Sequence, residues 1–250
     1  MSTLLLRLAA PLQAWGVDSK FERRATARVP TKSGVVGLIA AALGRRRDEN
    51  IGDLQGLRFG VRVDREGMLL RDYHTAHEDK FWSTFDGKYA HVTVRYYLAD
   101  AVFLAGLEGA DAFLLEIERA LSYPVFPLFL GRRSCPPEGR LSLGIRTSKT
   151  LLEALQDEPW LLSEWLRVKK NYQVHLRIVA EAGADVETDV EPRGSYFQRD
   201  LPLSFDQTHR KFGFRHVFEF ESQSVYNPLS RRPMSENSTG HDPMPELEGE

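Results

Sequence analysis

An α+β fold of the ferredoxin-like (RRM-like) kind, with an inserted β-hairpin, is predicted by two observations in the first 150 residues. Strand-like and helical stretches follow one another as strand, helix, strand, strand, helix, strand. A long pair of strand-like arms interrupts that order at its middle connection, between the second and third strands. Beyond Thr150 the pattern changes to a smaller, β-rich region.

The first strand is Thr3 to Ala10, apolar except for Arg7, and Pro11-Leu-Gln-Ala-Trp-Gly16 ends it. Val17 to Pro30 is polar and carries Lys20, Arg23, Arg24 and Arg28 without apolar periodicity, so it reads as an extended basic loop. The first helix runs from Pro30-Thr-Lys-Ser-Gly34 to Leu43, with Thr31 or Ser33 offering the N-cap oxygen and Gly44 at the C-terminal cap. Arg58 to Asp64 alternates apolar with polar, the period of a half-buried strand. Met68 to Thr75 and Ala90 to Leu98 are the hairpin arms, with Phe81, Trp82, Phe85 and Asp86-Gly87 between them. Ala101 to Leu107 is the next strand. Asp111 to Leu121 is a helix whose Phe113, Leu114, Ile117 and Leu121 share a face, and Leu141 to Ile145 is the last strand of the set.

Residues 1–149 therefore read as one unit with the hairpin at about 68–98, and 150–226 as an extension. The extension holds a short helix at Leu151 to Gln156, strands at Tyr172 to Ala180 and Phe212 to Glu221, and an acidic loop from Glu181 to Glu191. Residues 227–250 are rich in Pro, Ser, Asn, Gly and acid, the composition of a disordered tail.

Hydrophobic residues at 42% and charged residues at 27% match ordinary globular proteins and exclude wholesale disorder. No apolar run approaches the roughly 18 residues of a membrane span, so no membrane partner is expected. The start lacks a basic segment ahead of its apolar stretch, and Arg7 interrupts it, so a secretory leader is not expected. A single cysteine, Cys135, excludes an internal disulfide and a Cys-based zinc site, which fits a reducing, cytoplasmic setting.

A net charge of −2 conceals an uneven distribution. Residues 1–150 hold 22 Lys and Arg against 17 Asp and Glu, a net of +5, while residues 151–250 hold 11 against 18, a net of −7. Within residues 1–47 the count is nine against two, a basic stretch of the kind that phosphate attracts. A solubilising face with an acidic tail fits the same numbers.

Four groups of residues carry the chemistry. Thr31, Lys32, Ser33 and Gly34 open a helix, where free N–H groups favour an anion, with Arg23, Arg24 and Arg28 before them. The spacing is not that of a nucleotide-binding P-loop, and ordinary capping fits as well. Gly131, Arg132, Arg133 and Ser134 form a loop whose paired guanidiniums suit phosphate, or simply face solvent. Arg45 and Arg46 follow the first helix, where cations stabilise a C-terminus. Arg71, Tyr73, His74, Arg95, Tyr96 and Tyr97 on the hairpin, with Phe81, Trp82 and Phe85 towards its tip, interleave cations with aromatics, the pattern of single-stranded nucleic acid binding; alternation turns half of them inward, and Arg71, Tyr73, His74, Arg95 and Tyr97 are the expected contacts. His74 and His77 have metal-ligand spacing but no third ligand, so neither a metal nor another cofactor is expected. His74 or His91 with Tyr73 would serve a metal-independent RNA-cleaving site. No Ser-His-Asp or paired-carboxylate arrangement stands out.

Leu12-Gln-Ala-Trp-Gly16, Pro30-Thr-Lys-Ser-Gly34, Leu70-Arg-Asp-Tyr-His-Thr75, Arg95-Tyr-Tyr-Leu-Ala-Asp100 and Leu130-Gly-Arg-Arg-Ser-Cys-Pro136 occur in an order that resembles the CasD family. Its members are the subunits of type I-E CRISPR surveillance complexes (Cascade), in the RAMP superfamily, that hold the 5′ handle of the guide RNA (crRNA). The resemblance covers residues 3–147. It implies a RAMP fold with residues 68–98 as thumb, and handle contacts at Gln13 to Gly16, with Trp15 among them, Thr31 to Gly34 and Gly131 to Ser134. It also implies the backbone and large subunits as partners, target DNA reached through the assembled complex, and no catalytic residue. Cleavage of CRISPR repeat RNA, as in relatives of another subtype, is the alternative. A module that binds acidic proteins is a third.

Overall fold

The computed structural model describes residues 1–16, 23–77, 90–181 and 192–231. The expected hairpin tip, most of the acidic loop, Val17 to Glu22 of the basic loop and most of the tail lie outside them. The first unit comprises β1 (Ser2–Ala9), β2 (Leu12–Gln13), β3 (Arg23–Arg24), α1 (Lys32–Ala42), α2 (Gly52–Gln55), β4 (Arg58–Arg65), β5 (Met68–His77), β6 (Ala90–Ala99), β7 (Val102–Gly109), α3 (Asp111–Ser122) and β8 (Ser142–Arg146). After it come α4 (Leu151–Asp157), α5 (Glu164–Arg167), β9 (Gln173–Val174), β10 (Arg177–Glu181), β11 (Gly194–Ser204), β12 (Lys211–Glu221) and β13 (Val225–Tyr226).

Among the described residues the main sheet has seven strands in the order β11-β12-β10-β4-β7-β1-β8, every pair antiparallel. Three strands from beyond residue 150, β10, β12 and β11, thus continue the edge of the same sheet, while β9 and β13 pair separately. α1 and α3 pack on one face, around Leu4, Leu6, Leu8, Phe59, Val61, Phe103, Val35 and Ile117. α4 covers the other, over Leu5, Leu104, Ile178, Ala180 and Phe220.

This second covered face corrects the expectation of a half-buried strand at Arg58 to Asp64. Arg62 and Asp64 are buried and paired, because α4 lies where alternation alone implies solvent. Two further expectations change. The strand expected at Tyr172 to Ala180 breaks into β9 and β10, which join different sheets, and β11 forms where no strand was expected.

β5 and β6 pair over ten residues, from Met68 opposite Ala99 to His77 opposite Ala90. On the far side of β6, β2 pairs antiparallel with Leu98 and Ala99, and β3 pairs parallel with Val94 and Arg95. The hairpin therefore belongs to its own small sheet, built with loops from the chain start. At the other chain end residues 227–231 are described, and Asn227 is buried.

Candidate nucleic-acid interface

Three loops lock together at the hairpin base. The buried Gln13 side chain donates through Nε2 to the carbonyls of Leu8 (3.1 Å) and Ala101 (2.8 Å), and its Oε1 accepts from Trp15 Nε1 (3.2 Å). One amide thus ties the end of β1, the start of β7 and the Trp15 ring. Trp15 is fully buried, and its backbone donates to Thr26 Oγ1 (2.8 Å) and accepts from Ala27 N (2.7 Å). Its ring lies so close to the start of α1 that a Cβ on Gly34 would sit 2.7 Å from it. On the other side Ala14 N donates to Leu130 O (3.1 Å), and Gly131 follows at φ +83° with no room for a side chain.

On this frame, cations and aromatics gather along β6. Arg132 places its guanidinium 4.6 Å from the Tyr97 ring centroid and donates to Arg24 O (2.9 Å). Arg95 Nε donates to Thr93 Oγ1 (3.3 Å). Burial pushes the Tyr97 phenol up, but hydrogen bonds from Arg132, Ser134 and Arg95 and the charge of Arg132 outweigh it, so it titrates below the ordinary tyrosine value. The field at this spot is positive. Arg132 Nη1 is buried without a hydrogen-bond partner among the described residues, a donor that an anionic oxygen would satisfy.

Directly opposed residues of a ladder share a face, so the hairpin residues divide into two sets. Arg24, His74, Arg95 and Tyr97 lie on the face that meets Arg132. Arg23, Arg71 and Tyr73 lie on the other. There Arg23 stacks 5.2 Å from Tyr96, which faces Arg71 across the ladder, and Tyr73 is 65% exposed. Tyr96 belongs to the hairpin's aromatic set but not to its expected contacts, and the alternation of Arg95, Tyr96 and Tyr97 is the signal that two faces are in use. Gly131, Arg133 and Ser134 are exposed beside Arg132, and Arg28 is exposed next to Ala27.

Other expected residues go elsewhere. Thr31 is the buried N-cap of α1, accepting from Gly34 N (3.2 Å), with Ser33 Oγ 3.4 Å from its oxygen. Lys32 turns inward to Glu181 (3.0 Å), and its backbone N–H donates to Asp200 (2.8 Å). Burial pulls its ammonium below the ordinary lysine value despite those carboxylates. Gln13, Trp15, Thr31 and Lys32 thus hold the loops from behind. Arg45 and Arg46 lie past the far end of α1, about 16 Å along its axis, and Arg45 is paired with Asp53. The side chains of His77 and His91 lie outside the described residues.

Cys135 closes the arginine loop, its N–H donating to Arg132 O (2.9 Å) and its carbonyl accepting from Leu130 N (2.7 Å). Burial raises its thiol above the ordinary value, against the lesser effects of Ser134 and Arg132. Ellman's reagent should therefore react with Cys135 only at the rate of unfolding. A rapid reaction in the native state would show the loop to be open.

A family model described as CRISPR-associated protein (Cas_Cas5) matches residues 3–218. The CRISPR system Cascade subunit CasD of Escherichia coli (strain K12) is 41% identical over 165 residues, covering 57% of this chain and 70% of that protein. A chain of a solved CRISPR RNA-guided surveillance complex superposes with a TM-score of 0.73 at 32% identity, covering 93% of this chain and 95% of that one. A crystal structure of a Cas protein superposes with a TM-score of 0.63 at 38% identity, covering 91% and 97%. The family model spans most of the chain, and the chain belongs to the Cas5 family of CRISPR-associated proteins.

Proposed function

We propose that this protein is a non-catalytic, cytoplasmic subunit of a type I-E CRISPR surveillance complex that binds the 5′ handle of the crRNA and takes part in assembly for RNA-guided recognition of invading DNA. The observation that carries the reading is the Arg132 guanidinium on Tyr97, beside Arg24, Arg95 and Ser134, with one donor unused. A handle phosphate satisfies that donor, exposed Arg28 and Arg133 add charge, and Tyr73 on the other face offers a ring to a base. The similarity to CasD supports crRNA and the backbone and large subunits as partners, with target DNA reached through the assembly.

The order β4-β7-β1-β8, with α1 and α3 on one face, supports a ferredoxin-like RAMP core within residues 1–149. The β5–β6 ladder is its thumb, and residues 150–226 are an extension grown on its edge.

Replacing Arg132 and Arg133 together with alanine should weaken guide capture at least about tenfold, since hydrogen bonds to charged groups contribute roughly 1.5–3 kcal/mol each. Co-purification of guide RNA from cells expressing the full complex measures it. Normal assembly with a full complement of guide would remove that loop from the interface. Incubation with labelled repeat RNA in EDTA tests the non-catalytic assignment, and clean cleavage lost on His74→Ala would replace it with a metal-independent endoribonuclease.

A further inference from the structure

The acidic half of the chain contains a basic island that the hairpin site does not use. α5 and the β9–β13 pair form a small module around Trp160, Leu162 and Leu176. Its outer residues are Trp165, Lys169, Lys170, Tyr172, Tyr226 and Arg231. Trp165 is 65% and Tyr226 58% exposed. Lys169 Nζ stands 6.0 Å from the Trp165 ring centroid, and Tyr172 packs edge-on against Tyr226 with centroids 4.5 Å apart. None of Lys169, Lys170 and Arg231 forms an ion pair among the described residues.

The cluster is rigidly built. Buried Asn227 donates through Nδ2 to the carbonyls of Arg167 (2.9 Å) and Asn171 (3.1 Å), and its N–H donates to Tyr172 O (2.8 Å). Ser230 Oγ donates to Lys170 O (2.6 Å) and Arg231 N to Val168 O (3.2 Å). Each bond pins residues 227–231 across the turn after α5 and brings Arg231 beside the two lysines. Three cations without ion-pair partners among the described residues, carried on chain segments pinned to one another beside exposed rings, suit a polyanion whose bases stack.

Its position points the same way. Ala9 ends β1 opposite Val102, Arg65 ends β4 opposite Val102, and Arg177 starts β10 opposite Val63 and Glu221. The loops holding Gln13 and Trp15 and the module beginning β10 therefore leave the same end of the sheet. β1 and β10 stand three strand spacings apart, about 14 Å.

We propose that this island is a second binding site for single-stranded RNA, where Lys169, Lys170 and Arg231 hold phosphates and Trp165 stacks a base. The guide strand reaches it on leaving the hairpin base. Only that direction of travel rests on the function proposed above; the site's chemistry stands by itself.

The test uses the full chain and a short single-stranded RNA, with binding followed by fluorescence anisotropy across a salt series. Lys169→Gln, Lys170→Gln and Arg231→Gln together should flatten the log-affinity against log-salt slope by about 2, from roughly 0.7 per phosphate contact. Trp165→Ala should weaken binding about fivefold or more. These surface changes should leave the circular dichroism melt in place. Affinity and slope unchanged in the triple variant, but reduced by Arg132→Ala with Arg133→Ala, would overturn the second site and leave the first. Loss confined to the triple variant would do the reverse. Polyglutamate binding that depends on the three cations, with RNA affinity unaffected by their loss, would overturn the proposal in favour of an acidic protein.

Discussion

Gly131→Ala is expected to abolish guide capture and to destabilise the fold by about 2–4 kcal/mol. The added Cβ would lie 1.6 Å from Ala14 O and 2.7 Å from Ala14 C, both backbone atoms that no rotamer change removes. Its φ of +83° strains any L side chain by a further ~1–2 kcal/mol. Relief requires the two loops to part, which breaks the Ala14 to Leu130 hydrogen bond and draws the buried Leu130 from the core. Arg132 then leaves both Tyr97 and Arg24, and the shared patch of cations is lost. For a chain of this length each kcal/mol lowers the melting temperature by about 2–4 °C, so calorimetry and guide co-purification should fail together. A variant with unchanged melting and a full complement of guide would show that the loops are not coupled as described.

The order of the main elements was legible where a stretch carries its own period: α1 and α3 fell where caps and apolar spacing put them, α4 where a short helix was expected, and the hairpin arms within one or two residues, while the short β2, β3, α2 and α5 carry no such signal. What escaped depends on neighbours. The polar residues of β4 look solvent-facing until α4 is seen to lie over them, and nothing local to Arg58 to Asp64 announces a helix some ninety residues later. β11 was hidden by Pro202 and by an irregular polar pattern, both tolerated because it lies at the edge of the sheet and shifts register between Gln198 and Leu201. Charge counted along the chain misleads for a related reason. Lys32 belongs to the basic stretch by sequence but neutralises Glu181 of the acidic half in space, while Lys169, Lys170 and Arg231 form a positive patch inside that acidic half. Motif residues were legible as a group and not by role. Gln13 and Trp15 are buried behind the candidate interface as fasteners of its loops, and the hints of that close packing are Gly34, whose missing side chain makes room for the Trp15 ring, and Gly131, which makes room for the Ala14 carbonyl.

The second large effect is expected at Asp64. Arg62 spends all five guanidinium N–H groups: Nε and Nη2 on Asp64 (2.8 and 2.9 Å), Nη1 on Leu155 O (2.7 Å) and Glu158 O (2.5 Å), and Nη2 again on Pro159 O (3.0 Å). Asp64 also accepts from Leu161 N (2.7 Å), and its carbonyl accepts from Trp160 Nε1 (3.0 Å). The pair therefore fastens the end of α4 and the α5 module onto β4. Asp64→Ala leaves a guanidinium with fully buried side-chain atoms unpaired, which should cost about 3–5 kcal/mol. Asp64→Leu with Arg62→Met removes both charges and should recover much of that loss, because desolvating the pair offsets most of its attraction. Denaturant midpoints measure the two, and limited trypsin digestion separates a local from a global effect. In Asp64→Ala, cleavage after Arg167, Lys169 and Lys170 should precede any cut in the seven-stranded sheet, since the module loses its tether before the sheet loses a strand. RNA affinity should then fall with the same salt signature as removal of the three cations, while the Arg132 loop keeps its own share, because the two sites are held by different fasteners at one end of one sheet.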